Sequence, residues 1–544
     1  MRPAREVSGS SNPPRNSCAV ATPHAAATEA GTDAFLRGGN ALDAALSAAF
    51  ALCVAYPHNT SLGGDLFALV QAPDGTIRSI NASGPAGRHV DPERVAARHG
   101  RRMPVRGIDT VTLPGAVAGL GALHDLGAAR PWGAHLEAAV TMATAGVPVA
   151  SSLARAIEED LELIGSDTGL SALLSPGGRP LRRGDALVQP ELARTLQRVA
   201  AGGPGAFYRG ELAREHVEWL RASGSALDEG DFATFAPSLD AGIVRTVRGH
   251  EVFTAGPNSQ GFLLLEILQA LDLLECHDPL GSGAGVLSAL FALANRDRDR
   301  LLADPDAMTV SVDGLLDPGR WSALTAGLAT GPATLSDGGG GARAAPAPVP
   351  RAGGDTIALV TADSGGWAVS LIQSLFHSFG AGLRDPQSGV IFHDRGALFS
   401  LDPSSPNVLS PGKRPAHTLM PVLVRRDGRL RVVAGTMGGR AQPQIHAQVL
   451  LRLFDGADPQ AAVTSARWMV ESSGDADLAL VERGVSAAAT HAITTRMPLL
   501  ALDDLDETVG HTQLVVVDDD RGGPAFSAGS DPRADGLAAV ASGG

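Results

Sequence analysis

Residues 331–354, GPATLSDGGGGARAAPAPVPRAGG, limit most sharply how this chain can fold. Four consecutive glycines and a proline/alanine alternation can sustain neither a helix nor a central strand, so the segment reads as an extended linker. The sequence on its two sides differs in kind. Upstream, from about 115 to 330, apolar residues recur at helical spacing in Ala116–Asp125, Gly133–Ala145, Pro190–Ala201 and Gly261–Leu274. Downstream the period changes at once. TIALVTA (356–362) and AVSLIQSL (368–375) flank the turn Asp363-Ser364-Gly365-Gly366, which predicts a β-hairpin. A second hairpin is expected from 421–426 and 430–435 around Asp427-Gly428, and a helix from about 444 to 454. A floppy linker therefore ends on a threonine that opens a strand.

Near the amino terminus, residues 1–16 read as a loose polar tail. Helices are predicted over Ala25–Arg37 and Ala41–Tyr56, stopped by Gly38-Gly39 and Pro57, with Asn40 placed to cap the second. A strand at 66–71, LFALVQ, is entered through Gly63-Gly64-Asp65. Hydrophobic residues make up 44% of the 544 positions and charged ones 19%, enough for a large core. The net charge of −14 argues against a nucleic-acid partner. Lys413 is the single lysine among 44 basic residues, a coding-sequence bias that carries no functional reading. Cys18, Cys53 and Cys276 are too scattered for a disulfide framework or a metal cage and fit a reducing compartment. The longest apolar stretch, 41–56, carries Asp43 and is short for a bilayer, and the first residues lack the apolar core of a signal peptide. The expectation is a cytoplasmic protein without membrane or nucleic-acid partners.

Gly353-Gly354-Asp355-Thr356 can carry chemistry. A glycine pair admits backbone conformations closed to other residues, so a strained carbonyl before Thr356 is attainable. Thr356 Oγ can attack the carbonyl of Asp355 to give an ester, which water opens. The freed α-amino group, with an ordinary pKa of ~7.7–8.0, can then act as base for the hydroxyl of its own residue. The β-methyl group stiffens χ1 and steadies Oγ. From these residues alone, a purely structural strand-opening threonine stays open as the alternative.

Several longer stretches resemble the γ-glutamyltranspeptidase family of N-terminal-nucleophile hydrolases. They are GGNALDAALSAAFALCVAYPHNTSLGGDLFALV (38–70), TLPGAVAG (112–119), GPNSQG (256–261), GDTIALVTAD (354–363), AVSLIQSLFHSFGAG (368–382), PGKRPAHTLMP (411–421), MGG (437–439) and SDPRADG (530–536). The resemblance covers roughly residues 18–544 and implies a four-layer αββα sandwich. It also implies a large subunit of 17–355, which includes the linker, and a small subunit of 356–544. By position it makes Thr356 the nucleophile and Asp355–Thr356 the self-cleavage bond. Ser374 takes the place of an assisting threonine, and Gly438 and Gly439 that of the glycine pair whose amides form the oxyanion hole.

The departures narrow the substrate. The family's carboxylate-binding arginine, in an R-E-x-A-P segment, is replaced by Asn81, and its amine-binding aspartate, in N-Q-M-D-D-F, by Leu398. His417 and Thr418 stand where paired serines help position substrate, and Phe376 where an asparagine follows the assisting threonine. A charged group left unpaired in a closed pocket costs several kcal/mol, so a pocket built this way should not favour a γ-glutamyl head group. The pattern is closer to the divergent branch that includes cephalosporin-acylase-like and oxamate-amidohydrolase-like members. Arg395 can offer a bidentate contact to a substrate carboxylate, or pair with Asp394 or another neighbour. His377, His393, His417 and His446 lie close in sequence but lack ligand spacing, so no metal and no cofactor are expected.

The expected partners are a small-molecule amide substrate and water or an amine as acyl acceptor. The expected assembly is a heterodimer of self-cleaved subunits, as such or within a higher oligomer. Two alternatives remain. One is a true γ-glutamyltransferase or glutathione hydrolase with replacement partners such as Arg384, Arg395 or Arg440. The other is an uncleaved, non-catalytic relative with a binding role.

Overall fold

A strand that is apolar on both faces must be covered on both, and the hairpin after the linker is such a pair. In the computed structural model, which describes residues 17–326, 328, 355–474, 476–518 and 524–542, that hairpin lies at the centre of the molecule. The linker 331–354 and the tail 1–16 lie outside the described residues.

In chain order the strands begin with β1 (Ser17–Thr22), β2 (Asp65–Gln71), β3 (Ile77–Ala82), the short pair β4 (Val147–Pro148) and β5 (Ala186–Leu187), and β6 (Ser238–Asp240). Next come β7 (Ile243–Val247), β8 (His250–Thr254), β9 (Asp355–Asp363), β10 (Ala368–Phe376), β11 (Val422–Arg426) and β12 (Arg429–Met437). The last are β13 (Trp468–Ser473), β14 (Ala476–Glu482), β15 (Leu499–Leu502), β16 (His511–Asp518), β17 (Ala525–Ser530) and β18 (Leu537–Ser542). One antiparallel sheet runs β18-β1-β9-β10-β2-β3-β6 and a second runs β17-β16-β12-β11-β8-β7.

Side chains alternate across each strand, so every strand of these sheets feeds two cores. Ile357, Leu359, Val369 and Leu371 point outward against the helices Ala41–Ala55 and Ala116–Asp125. Ala358, Val360, Ala362 and Ile372 point the other way, toward Leu419, Leu423, Val433 and Val515 of the second sheet. The far face of that sheet, with Val422, Val424 and Val432, is covered by the helices Phe262–Leu273, Ala284–Leu301 and Gln442–Phe454. The result is a four-layer αββα sandwich.

The predicted elements hold with local changes. Asn40 caps its helix in a full capping box with Asp43. The helix expected over Gly133–Ala145 is instead a 3-10 turn, Trp132–His135, followed by a helix from Glu137. A glycine in the first turn supports helix poorly, and the turn is tied by Trp132 Nε1 donating to Val199 O at 2.9 Å. The β7–β8 hairpin and the helix Ala284–Leu301 were not anticipated in the helix-rich middle of the sequence.

Candidate active site

Strand register sets three residues from distant parts of the chain in a row. Ser374 of β10 lies opposite Thr356 of β9 on one side and Asp65 of β2 on the other. Adjacent strands are about 4.8 Å apart, and all three side chains face the gap between the sheets. All three residues are fully buried.

Thr356 Oγ1 is 2.8 Å from Ser374 Oγ. The Ser374 hydroxyl donates to the carbonyl of Asp355 at 3.1 Å and accepts the Phe376 N–H at 2.8 Å. With its proton committed to that carbonyl, Ser374 takes the Thr356 proton as acceptor. The arrangement depends on a β-bulge between Ser374 and Phe376, which sets Phe376 opposite Asp355 with φ at 82°. From behind, Asn59 Nδ2 donates to the Thr356 carbonyl at 3.4 Å, while the Asn59 carbonyl accepts Leu375 N–H at 3.0 Å. Burial raises the Asp355 carboxyl to about 6, against the opposing pull of His377 and Arg106.

The glycine pair is delivered by the second sheet. A side chain at Gly435 would meet Ile372 and Ala358 at 3.0 and 3.1 Å, so β12 crosses β9 closely, two residues inward from Thr356. Continuing toward the Thr356 end, β12 gives way to Gly438 (φ 146°) and Gly439 (φ 51°), which lead into the helix Gln442–Phe454. Any Cβ at Gly438 would fall 2.3 Å from Ile445 Cδ1. Gln260 of the GPNSQG segment pins this corner, its Nε2 donating to the carbonyls of Gly439 and Thr418, each at 2.8 Å. Adjacent amides without side chains before a helix N-terminus form a concavity suited to negative charge.

On the other side of Ser374, Asp65 gathers three basic groups. Its Oδ2 is 3.0 Å from His393 Nδ1, 3.0 Å from His417 Nε2 and 3.2 Å from Arg395 Nε. Burial alone would raise this carboxyl, but the two imidazoles outweigh it and hold Asp65 well below its ordinary value. His417, by contrast, is pushed down to about 3 by burial and by Arg395, so it is neutral at pH 7. Arg395 Nη1 donates to Thr418 Oγ1 at 3.0 Å, and its guanidinium lies 4.4 Å above the Phe376 ring. Its Nη2, also buried, has no hydrogen-bond partner among the described residues. Of the pairings open to Arg395, the one formed is with Asp65. Asp394 binds His377 instead, at 2.6 Å.

The remaining sequence candidates divide. Asn81 belongs to a neighbouring polar knot, with Nδ2 donating to Asn258 Oδ1 at 2.9 Å and Oδ1 accepting from Ser83. Leu398 is half-buried at the end of a short turn. Arg384 and Arg440 are bound elsewhere, by Glu191 and Asp299. His446 is enclosed within its helix, away from the His393–His417 pair. Among the described residues, no group of three or more His, Cys, Asp or Glu side chains could hold a metal ion. Asp65 was missed in the sequence, where its signal was a lone charge entering a strand with apolar neighbours on both faces. Asn59, in the HNTS loop after Pro57, carried no comparable signal.

The gamma-glutamyltranspeptidase family model matches residues 27–541. The chain is 32% identical over 528 residues to a glutathione hydrolase-like YwrD proenzyme of Bacillus subtilis, covering 95% of this chain and 97% of that protein. It is 33% identical over 544 residues to an oxamate amidohydrolase proenzyme of Klebsiella pneumoniae, covering 97% and 99%. The crystal structure of a cephalosporin acylase from Bacillus halodurans superposes with a TM-score of 0.85 at 29% identity, covering 99% of both chains. With the family's segments collinear along its length and its fold matched over nearly all of it, this chain belongs to the gamma-glutamyltranspeptidase family.

Proposed function

We propose that the chain is a self-processing amidohydrolase that cuts the Asp355–Thr356 bond and then uses Thr356 as nucleophile on a small amide bearing a carboxylate. The observation that carries this reading is the buried triad of Thr356 Oγ1, Ser374 Oγ and the Asp355 carbonyl, linked at 2.8 and 3.1 Å. It is a nucleophile, a hydroxyl relay and a polarised carbonyl in one hydrogen-bonded line. The proenzyme names of the relatives support the same reading.

In self-cleavage the Thr356 hydroxyl adds to the Asp355 carbonyl, the C–N bond breaks, and water opens the resulting ester. The products are a large subunit ending at Asp355 and a small subunit beginning at Thr356. In turnover, the free α-amine takes the Thr356 hydroxyl proton as Oγ attacks the substrate carbonyl. The Gly438 and Gly439 amides receive the oxyanion, each such donor being worth ~2.7–4 kcal/mol. The amine product leaves with the proton, and water or an amine then accepts the acyl group.

The substrate's carboxylate goes to Arg395. Its unpaired Nη2 is sealed from water, and a buried donor of that kind calls for an anionic acceptor. Asp65 holds the guanidinium in place, His417 and Thr418 line the same corner, and Leu398 carries no charge where the family has its amine-binding aspartate. A short amide with one carboxylate suits this corner better than an amino-acid head group. Oxamate, for which one relative is named, is such a molecule.

Purified protein should run as two bands on a denaturing gel, the smaller beginning at Thr356, and Thr356→Ala should stay intact and inactive. Arg395→Ala should still be processed, yet lose at least tenfold in kcat/KM on oxamate and related half-amides. Efficient turnover of γ-glutamyl-p-nitroanilide, untouched by Arg395→Ala, would refute the substrate assignment.

A further inference from the structure

Self-cleavage and turnover differ in one requirement. In turnover the α-amine of Thr356 is the base. In the precursor that nitrogen is an amide and cannot accept a proton. Once the chain has shifted onto Oγ, the freed amine is the very group that can attack the ester and restore the peptide bond. Opening the ester is therefore the committing step, and it is best served by a base other than that amine.

We propose that His377, oriented by Asp394, is the base that activates the water opening the Asp355–Thr356 ester. The proposal rests on the reading of Thr356 as the self-cleaving nucleophile.

The position follows from the bulge. Phe376 lies opposite Asp355 in register, and His377 is the next residue, on the acyl side of the scissile bond. Asp394 clamps it at two points, with Oδ2 2.6 Å from Nδ1 and Oδ1 accepting the His377 backbone N–H at 3.1 Å. A carboxylate against Nδ1 fixes the proton there and leaves the lone pair on Nε2, the base-competent tautomer. The carboxylate is itself anchored, because Asp394 N–H donates to Leu375 O at 3.1 Å and the residue is fully buried. The imidazole is 23% exposed, so its free edge meets water while its orienting partner is sealed away. The ring packs on Phe376, centroids 4.1 Å apart.

The charged groups around His377 are Asp394, Asp355 and Asp160, with Arg106 held on the Gly380 and Ser378 carbonyls. Of the charges acting on the Asp355 carboxyl, His377 pulls hardest, in keeping with its place beside that residue.

The step balances as hydrolysis. The water oxygen bonds to the Asp355 carbonyl carbon as its proton passes to His377 Nε2. The C–Oγ bond then breaks, and Thr356 Oγ leaves with the proton of the imidazolium. The products are a free Thr356 and an Asp355 carboxyl, and His377 is neutral again.

The test follows the cleavage of freshly refolded precursor on denaturing gels between pH 5 and 8. General-base assistance is commonly worth 10²–10⁴-fold, so His377→Ala should slow cleavage about 100-fold or more. It should accumulate a chain that hydroxylamine cuts at 355–356, the mark of the ester. Added imidazole should restore its rate, a response that repair of a merely structural defect would not give. Asp394→Asn should slow cleavage about tenfold. Cleavage of folded His377→Ala within threefold of wild type would overturn the proposal, as would a slow variant that melts normally but ignores imidazole. Cleavage of Thr356→Ala would overturn instead the reading of the nucleophile on which it rests.

Discussion

Ser374→Ala is the most informative single change at this site, because one hydroxyl makes three contacts there. It donates to the Asp355 carbonyl at 3.1 Å, accepts the Phe376 N–H at 2.8 Å, and lies 2.8 Å from Thr356 Oγ1. A net hydrogen bond is worth about 0.5–1.5 kcal/mol, and a buried N–H left without a partner costs about 1–3 kcal/mol. Losing the bonds to Asp355 and Thr356 while orphaning the Phe376 N–H should therefore destabilise the precursor by about 2–6 kcal/mol. The kinetic effect is of similar size. In the proposed self-cleavage Ser374 donates to the carbonyl under attack, and removing one donor from a developing oxyanion raises a barrier by ~2.7–4 kcal/mol, so cleavage should slow about 10²–10³-fold. The two effects are separated by measuring stability in a Thr356→Ala background, where nothing is cut and the bond to Thr356 is already gone, so that about 1.5–4.5 kcal/mol remains to be lost, and cleavage half-time by gel in the single variant. Ser374→Thr keeps the hydroxyl and should retain cleavage within about tenfold of wild type, its added methyl having to fit a fully buried position. A folded Ser374→Ala precursor that cuts itself at the wild-type rate would refute the relay.

Further outcomes follow from the same packing and charge relations. Gly438→Ala would set a Cβ 2.3 Å from Ile445 Cδ1 at φ 146°, and should cost about 1–3 kcal/mol in urea unfolding and more than tenfold in kcat. Adding Ile445→Val should recover part of the stability and little of the rate. Asp355 has its carboxyl raised from 3.8 to about 6, so the stability its neutral form contributes is present below pH 4 and lost as pH rises through 6. In the Thr356→Ala background, Asp355→Asn should be more stable at pH 8 by up to about 3 kcal/mol, the gap closing below pH 4. His446 is depressed to about 3 by burial and neither ring nitrogen has a hydrogen-bond partner among the described residues, so its neutral form stabilises the fold above pH 6.5 and that stability is lost on acidification. His446→Leu should flatten the fall in melting temperature between pH 6.5 and 4, by up to about 1.4 kcal/mol per pH unit in the underlying free energy.

Much of the central hairpin was legible because β9 and β10 are apolar on both faces, a pattern that leaves a strand little freedom over where it lies. Thr356, Ser374 and the glycine pair were read in order along the chain from the resemblance to the family, because patterning alone leaves Thr356 a strand-opening residue. Alternation in Ile243–Val247 and His250–Thr254 is blurred because Arg245 and His250 fall on the same faces as buried Val247 and Val252 while Val244 is exposed, so the β7–β8 hairpin was hidden among helical periods. Its turn at Arg248-Gly249, both at positive φ, is the signal that could have revealed it. Asp65 and the His377–Asp394 pair were not legible as site residues. Asp65 is 330 residues from Arg395 and 352 from His417, and the histidine and aspartate meet only because the loop after β10 folds back. Patterning places residues on faces; it does not say which loops return to the same spot.

The strand order also decides what a cut before Thr356 does to the molecule as an assembly. In the larger sheet, β1 separates β18 from β9, and β10 is followed by β2, so stretches from before and after residue 356 are hydrogen-bonded edge to edge. The second sheet joins them again where β11 meets β8. Two such pieces cannot part without unfolding both sheets. The intact precursor folds as a single chain at a rate that does not depend on concentration. The nicked protein, once denatured, must bring two strangers together before either can complete a sheet, and it pays the entropy of association as well as of ordering. Cutting therefore turns an object that can recover from unfolding into one whose survival depends on never unfolding, with the height of the unfolding barrier as its safeguard. Refolding yield should be independent of dilution for Thr356→Ala and fall steeply with dilution for the processed enzyme.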